Sequence, residues 1–211
     1  MPSVLVTGAA RGIGRSITEH LAERDWDVIA GVRTEADAIA MTAANPRRIT
    51  AVTLDVTNDA HIAELSDSLP ARLDGIVNNA GISVGGPMET VTTDDWRKQL
   101  EVNVIGQMAV TRAVLPRLRE SRGRIVFISS VNGRLSMPMI GAYSASKFAL
   151  EAAADALRME LRPWGVRVSL VEPAQTDTEV WQEAEVALDE SLATLGPEQR
   201  QLYRKHIAGY R

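Results

Sequence analysis

Six short runs of apolar, mostly β-branched residues punctuate the chain, at Val4–Thr7, Asp27–Val32, Ile49–Leu54, Gly75–Asn78, Arg124–Ser129 and Val166–Val171. Nearly every position in them is apolar, without alternation, which is the pattern of parallel strands covered on both faces. Between the runs, apolar residues recur every three or four positions. This predicts helices over Ile13–Arg24, Glu35–Ala44, Asp59–Leu69, Asp94–Glu120 and Ala142–Arg162. Pro116 is expected to bend or break the fourth of them. Strands alternating with helices imply right-handed crossovers and an α/β, doubly wound parallel sheet, with one domain spanning residues 1–211.

After Val171 the pattern changes. From Asp177 to Glu190 the chain carries six acidic residues and no basic one, while Trp181, Ala184, Leu188, Leu192 and Leu195 recur at helical spacing. Gly196-Pro197 stops that helix, and Pro197 can open another that reaches Arg211. Residues 178–211 therefore form either a helical lid over a pocket or a terminal hairpin packed on the sheet.

Composition removes several classes of function. With no cysteine there is no disulfide, thiolate nucleophile or Cys-bound zinc, and histidine occurs only as His20, His61 and His206, so no metal site is expected. The net charge of −4 lacks the basic footprint of a nucleic-acid binder. No apolar run approaches the roughly 20 residues of a membrane span, and the N-terminus has no basic lead or apolar h-region. A cytoplasmic ligand- or cofactor-using protein is the expectation.

In an open parallel sheet, ligands bind beyond the carboxyl ends of the strands. The unusual residues of this sequence fall there, strand after strand: Gly8, Arg33, Asp55, Asn79-Ala80-Gly81, Ser129-Ser130 and Glu172-Pro173. The first turn reads Thr7-Gly8-Ala9-Ala10-Arg11-Gly12-Ile13-Gly14. Its glycines allow a tight bend and close approach of a pyrophosphate to the free N–H groups of the next helix. Arg33 ends the second strand where an acidic residue would bind the adenosine ribose 2′-OH. A guanidinium suits a 2′-phosphate, and Arg11 lies within reach of the same group, so the pair points to NADP(H) over NAD(H), the alternative being two solvated surface charges. Asp55 could accept from an adenine amino group or simply cap the turn beside Thr57 and Asn58.

Tyr143 and Lys147 are four residues apart on the long Ala-rich helix and project from one face. A phenol with pKa near 10 exchanges protons poorly at neutral pH. An ammonium ~4 Å away, at an effective dielectric near 20, favours the phenolate by ~4 kcal/mol before desolvation, enough to lower that pKa by roughly one to three. Ser130, thirteen residues before Tyr143, can orient a substrate oxygen beside it. Asn103, a polar residue in an apolar helical stretch, either packs as a satisfied amide or holds a water that passes protons to Lys147.

Taken together, Thr7-Gly8-x-x-x-Gly12-Ile13-Gly14, Asn78-Asn79-Ala80-Gly81, Asn103, Ser130 and Tyr143-x-x-x-Lys147 resemble the short-chain dehydrogenases/reductases, over about Ser3 to Thr178. The segment after Thr178, with Trp181, looks most like the hydroxysteroid- and retinol-dehydrogenase branch. The resemblance implies a Rossmann fold with strand order 3-2-1-4-5-6 and a nicotinamide cofactor. It implies Tyr143 as proton donor or acceptor, Ser130 as the residue that positions substrate oxygen, Lys147 as ligand of the nicotinamide ribose, and Asn103 in a water relay. Asn79, Ala80 and Gly81 would line the adenosine side, Asp55 and Val56 would flank the adenine, and Pro173, Thr176 and Thr178 would meet the nicotinamide end. There are two departures from the family pattern. Ala174 stands where the family has glycine, and the usual seventh strand and final helix are not visible before Arg211, which leaves one sheet edge expected bare.

The resulting expectation is an NADP(H)-dependent oxidoreductase interconverting a secondary alcohol and a ketone, acting on a small hydrophobic substrate lined by Met88, Met137, Met139, Ile140 and Trp181. It is expected to assemble as a homodimer or homotetramer through the long helices. The alternatives are a non-catalytic NADP(H)-binding regulator of the same fold and an interaction module built on the acidic Asp177–Glu190 helix.

Overall fold

Each apolar run becomes a strand within one or two residues of its expected limits: β1 Ser3–Thr7, β2 Asp27–Val32, β3 Ile49–Thr53, β4 Gly75–Asn78, β5 Arg124–Ile128 and β6 Arg167–Val171. The computed structural model describes residues 1–174, 186, 188, 189 and 192–210. All six strands run parallel in one sheet of order β3-β2-β1-β4-β5-β6, so the chain starts in the middle and winds outward twice. Alternate residues of β1 show why the strands are apolar throughout. Leu5 joins a core with Leu65, Val110, Val114, Leu118 and Leu150, while Val4 and Val6 join the opposite core with Ala22 and Met41. Each face is covered by helices, so neither can be polar.

The covering helices are α1 Gly12–Ala22 and α2 Glu35–Ala44 on one face, with α3 Asp59–Ser68, α5 Gln107–Ser121 and α6 Gly141–Glu160 on the other; α4 Thr93–Leu100 precedes α5. Their starts follow the capping rules. Thr34 and Asn58 accept backbone N–H bonds at the first turns of α2 and α3, and Thr92 with Asp95 forms a complete capping box on α4.

The single helix expected over Asp94–Glu120 is instead three pieces, and the interruption is not at Pro116. A π-helical stretch, Glu101–Gly106, separates α4 from α5, while Pro116 sits inside α5. Pro116 is exposed, so the carbonyl it leaves without a donor faces water. At the other site, a Cβ on Gly106 would lie 2.5 Å from the Val56 carbonyl oxygen, and the widened turn lets Asn103 reach sideways to the loop after β4.

The last described helix, α7 Pro197–Tyr210, begins at the expected proline. Leu188, Leu192 and Leu195 are buried and pack with Ile207 against Met139, just before α6. Most of the segment that precedes them, 175–185 with Thr176, Thr178 and Trp181, lies outside the described residues. Among the described residues no helix is long and apolar enough to cross a membrane.

Candidate active site

The turn after β1 is held by its neighbour. The Thr7 hydroxyl accepts the Asn79 and Ala80 N–H groups at 2.9 and 3.0 Å, and Asn79 Nδ2 donates to the Thr7 and Gly8 carbonyls at 3.0 and 3.1 Å. Gly8 adopts φ +63°, a conformation that L side chains resist. A Cβ on Gly14 would fall 2.2 Å from the Gly8 carbonyl oxygen and 2.4 Å from Asn79 Nδ2. The helix N-terminus is thereby drawn tight under the turn, with Ile13 and Arg11 at its mouth.

From this turn a cleft of about 490 Å³ runs along the carboxyl ends of the strands. At one end lie Arg11, Arg33, Asp37, Asp55 and Val56. Asn79, Ala80 and Gly81 form its middle, and Ser130, Tyr143, Lys147 and Pro173 close the other end. The Asp55 carboxyl is held below the usual range first by the Thr57 backbone N–H, then by the Thr57 hydroxyl, with the Arg33 charge adding to both. Asp55 is therefore a turn-forming residue as well as a wall of the cleft, while Asn58 caps α3.

At the far end the three expected groups converge. Ser130 lies two residues beyond the end of β5, 3% exposed, and its Oγ accepts the Asn132 N–H at 3.1 Å. Lys147 is 4% exposed. Its Nζ donates to the Ile128 carbonyl at 2.8 Å and lies 5.7 Å from the centre of the Tyr143 ring. Burial pulls the ammonium down to about 8 from its ordinary 10.5, with Glu151 opposing the fall.

Not every expected residue faces this cleft. Gly12 and Gly14 shape the turn without lining it, and Thr176 and Thr178 lie outside the described residues. Asn103 is fully buried. Its Oδ1 accepts the Ile82 N–H at 2.9 Å, and its Nδ2 donates to the Ile82 carbonyl and to Ser146 Oγ, both at 3.0 Å. It works beside two further buried amides, Gln99 and Gln107. Gln99 clamps Ile82 and Val84, and Gln107 donates to the Ala80 carbonyl at 2.7 Å. Gln99, Asn103 and Gln107 stand at intervals of four, a stripe of amides on one helical face that the spacing alone could have revealed. Ser83, Lys98 and Glu101 also border the cleft. Of the residues expected to contact substrate, Met139 and Ile140 are buried, Met139 under Leu188, Leu192 and Leu195, whereas Met88 and Met137 are exposed.

The architecture is that of a dinucleotide-binding enzyme fold with a serine, a tyrosine and a lysine at one end of its cleft. The chain matches the short chain dehydrogenase family over residues 2–188 and belongs to that family, a family of oxidoreductases. It is 40% identical over 208 residues to a 3-amino-tetrahydro-pyrrolizinone reductase from Xenorhabdus hominickii, a match covering 96% of this chain and 71% of that protein. It is 38% identical over 176 residues to mouse retinol dehydrogenase 5, covering 81% of this chain and 55% of that one. Its structure resembles a 3-oxoacyl-[acyl-carrier protein] reductase with bound NAD from Brucella melitensis, with TM-score 0.79 and 34% identity, covering 87% and 74% of the two chains.

Proposed function

We propose that this chain transfers hydride between NADP(H) and a secondary alcohol or ketone of small, hydrophobic character, with Tyr143 as the proton-exchanging group. The observation that carries the reading is the meeting of Ser130, Tyr143 and Lys147 at one end of a cleft that the glycine turn after β1 borders and that Arg33 and Asp55 close at the other end. The residues fit a dinucleotide: the absence of a Cβ at Gly8 and Gly14 lets the backbone close into a phosphate cradle, and Lys147 uses one of its three N–H donors on Ile128, keeping two for ribose hydroxyls. When bound, the nicotinamide supplies or accepts the hydride.

The protein groups do the rest. Because the Ser130 oxygen already accepts from Asn132, its own O–H remains to donate to the carbonyl oxygen of a substrate. Tyr143 holds the proton for that same oxygen, and the Lys147 charge beside its ring favours the phenolate that remains. Both hydrogen bonds strengthen as the oxygen gains charge, so they stabilise the transition state more than the ground state. Asn103 supports the site through the Ile82 loop and α6, and a relay water held at its remaining acceptor capacity belongs to the same reading. Residues 1–211 act as one domain, with 178–211 as the cover of the substrate end. Two or four copies assemble through the outer faces around Ile105 and Phe148, both exposed; a solution mass of one chain would remove this last element.

NADPH absorbance followed across a panel of ketones and aldehydes tests the reading. Oxidation of NADPH by at least one carbonyl class is expected. Tight NADPH binding with no oxidation across the panel would favour the non-catalytic regulator. For the choice of cofactor, Arg33→Ala is expected to weaken NADPH binding by about 10-fold or more, the worth of a charge-assisted phosphate contact, and to leave NADH within about twofold. Equal losses for both nucleotides, by fluorescence titration, would exclude a 2′-phosphate at Arg33.

A further inference from the structure

One buried charge takes no part in the chemistry above. Glu151 stands on α6 one helical turn beyond Lys147, and both residues are 4% exposed. Its Oε2 makes an ion contact at 2.8 Å with Arg134, without hydrogen-bond alignment. Its Oε1 lies 3.1 Å from where a side chain on Gly133 would begin, directly under the turn that carries Ser130. The same guanidinium reaches Glu172 Oε1 at 3.2 Å. One arginine thus joins the Ser130 turn, the helix of Tyr143 and Lys147, and the end of β6, where the Pro173 carbonyl also accepts the Val131 N–H at 3.1 Å.

A carboxylate buried this deeply is costly unless a cation answers it. Arg134 answers from the rim, its side chain 55% exposed. Lys147 is the second cation, on the same buried face of the helix. We propose that Glu151, clamped by Arg134, is a positioning residue of the site: its carboxylate stands one helical turn behind the buried Lys147 as its counter-charge and, through Arg134, fixes the Ser130 turn against α6. The charged and titratable groups around Lys147 are Tyr143 and Glu151 on its own helix, Arg134 on the turn, Glu172 beyond it on the β6 end, and Lys98 and Glu101 across the cleft. Of these, Glu151 is the anion whose field opposes the desolvation of Lys147, consistent with the direction of its influence on that group.

The proposal rests on reading Lys147 as the cation of the site, and it can be tested without turnover. The chain has only three lysines, Lys98, Lys147 and Lys205, so their Cε signals can be followed by NMR in ¹³C-lysine-labelled full-length protein and assigned with Lys98→Arg and Lys205→Arg. In Glu151→Gln the Lys147 midpoint is expected to fall by about one pH unit, a tenfold loss of proton affinity. In Arg134→Met the carboxylate loses its competing cation, so the midpoint is expected to stay or rise. A fall of less than about half a unit in Glu151→Gln overturns the proposal. So does a fall in Arg134→Met alongside it, since that would mean general loosening of the helix. If the titrations behave as expected while no carbonyl is reduced, the proposed reaction fails and this charge coupling stands.

Discussion

Replacing Tyr143 by Phe is expected to lower NADPH-dependent carbonyl turnover by about 10³-fold, the middle of the range for loss of a positioned general acid, while NADPH affinity stays within about twofold. The ring remains in place, half-buried at the start of α6 with Lys147 Nζ 5.7 Å from its centre. The substitution therefore removes one oxygen and one proton from the cleft and little else. Ser130 still offers its O–H to the substrate oxygen while its own oxygen accepts from Asn132, but an aliphatic alcohol is a far weaker acid than a phenol and does not replace the lost proton source. Single-turnover kinetics beside a fluorescence binding isotherm give both quantities. A variant that keeps more than about a tenth of its turnover would mean that the proton reaches the substrate from elsewhere, and the role assigned to Tyr143 would be lost.

The elements that local physics controls were readable from the residues. The strands were legible because both faces of the sheet are covered, which forces unbroken apolar runs such as Val4–Val6 and Ile125–Ile128. The glycine turn was legible because Gly8 and Gly14 answer a steric demand that no other residue meets. The features that depend on a distant partner were not. The break at Glu101–Gly106 is imposed by close approach to Val56, forty-five to fifty positions earlier, so the strong local signal of Pro116 pointed to the wrong place. Met139 and Ile140 stand beside Tyr143 in sequence and suggested a pocket, yet Leu188, Leu192 and Leu195 return to cover Met139. Asn103 was found as a lone amide. The interval of four that sets Gln99 and Gln107 on its face is visible in the sequence, but not that they turn inward, because glutamines on a helix ordinarily face water, whereas here all three amides hold the loop that forms the middle of the cleft.

Lys147→Met should separate stability from activity. Turnover is expected to fall by about 10² or more, because a thioether can neither favour the phenolate nor bind ribose hydroxyls. At pH 7 the folded chain is nonetheless expected to be more stable by about 2 kcal/mol. Burial holds the Lys147 ammonium at about 8 instead of 10.5. At about 1.4 kcal/mol per pH unit, that difference means its charge opposes folding by roughly 3 kcal/mol, against which loss of the bond to the Ile128 carbonyl returns about 1. The pH dependence fixes the cause. Between about 8 and 10.5 the unfolded chain holds the proton that the folded chain has released, so wild-type stability relative to the variant rises with pH across that window. Below it the penalty is present in full, and above it the penalty is gone, leaving the variant the weaker by the lost hydrogen bond alone. Urea unfolding of both proteins at pH 7 and near pH 10.5 measures the crossing. A stability difference that does not change between the two would show that Lys147 is buried at no electrostatic cost, and with it would go the argument that its charge must be maintained by its surroundings.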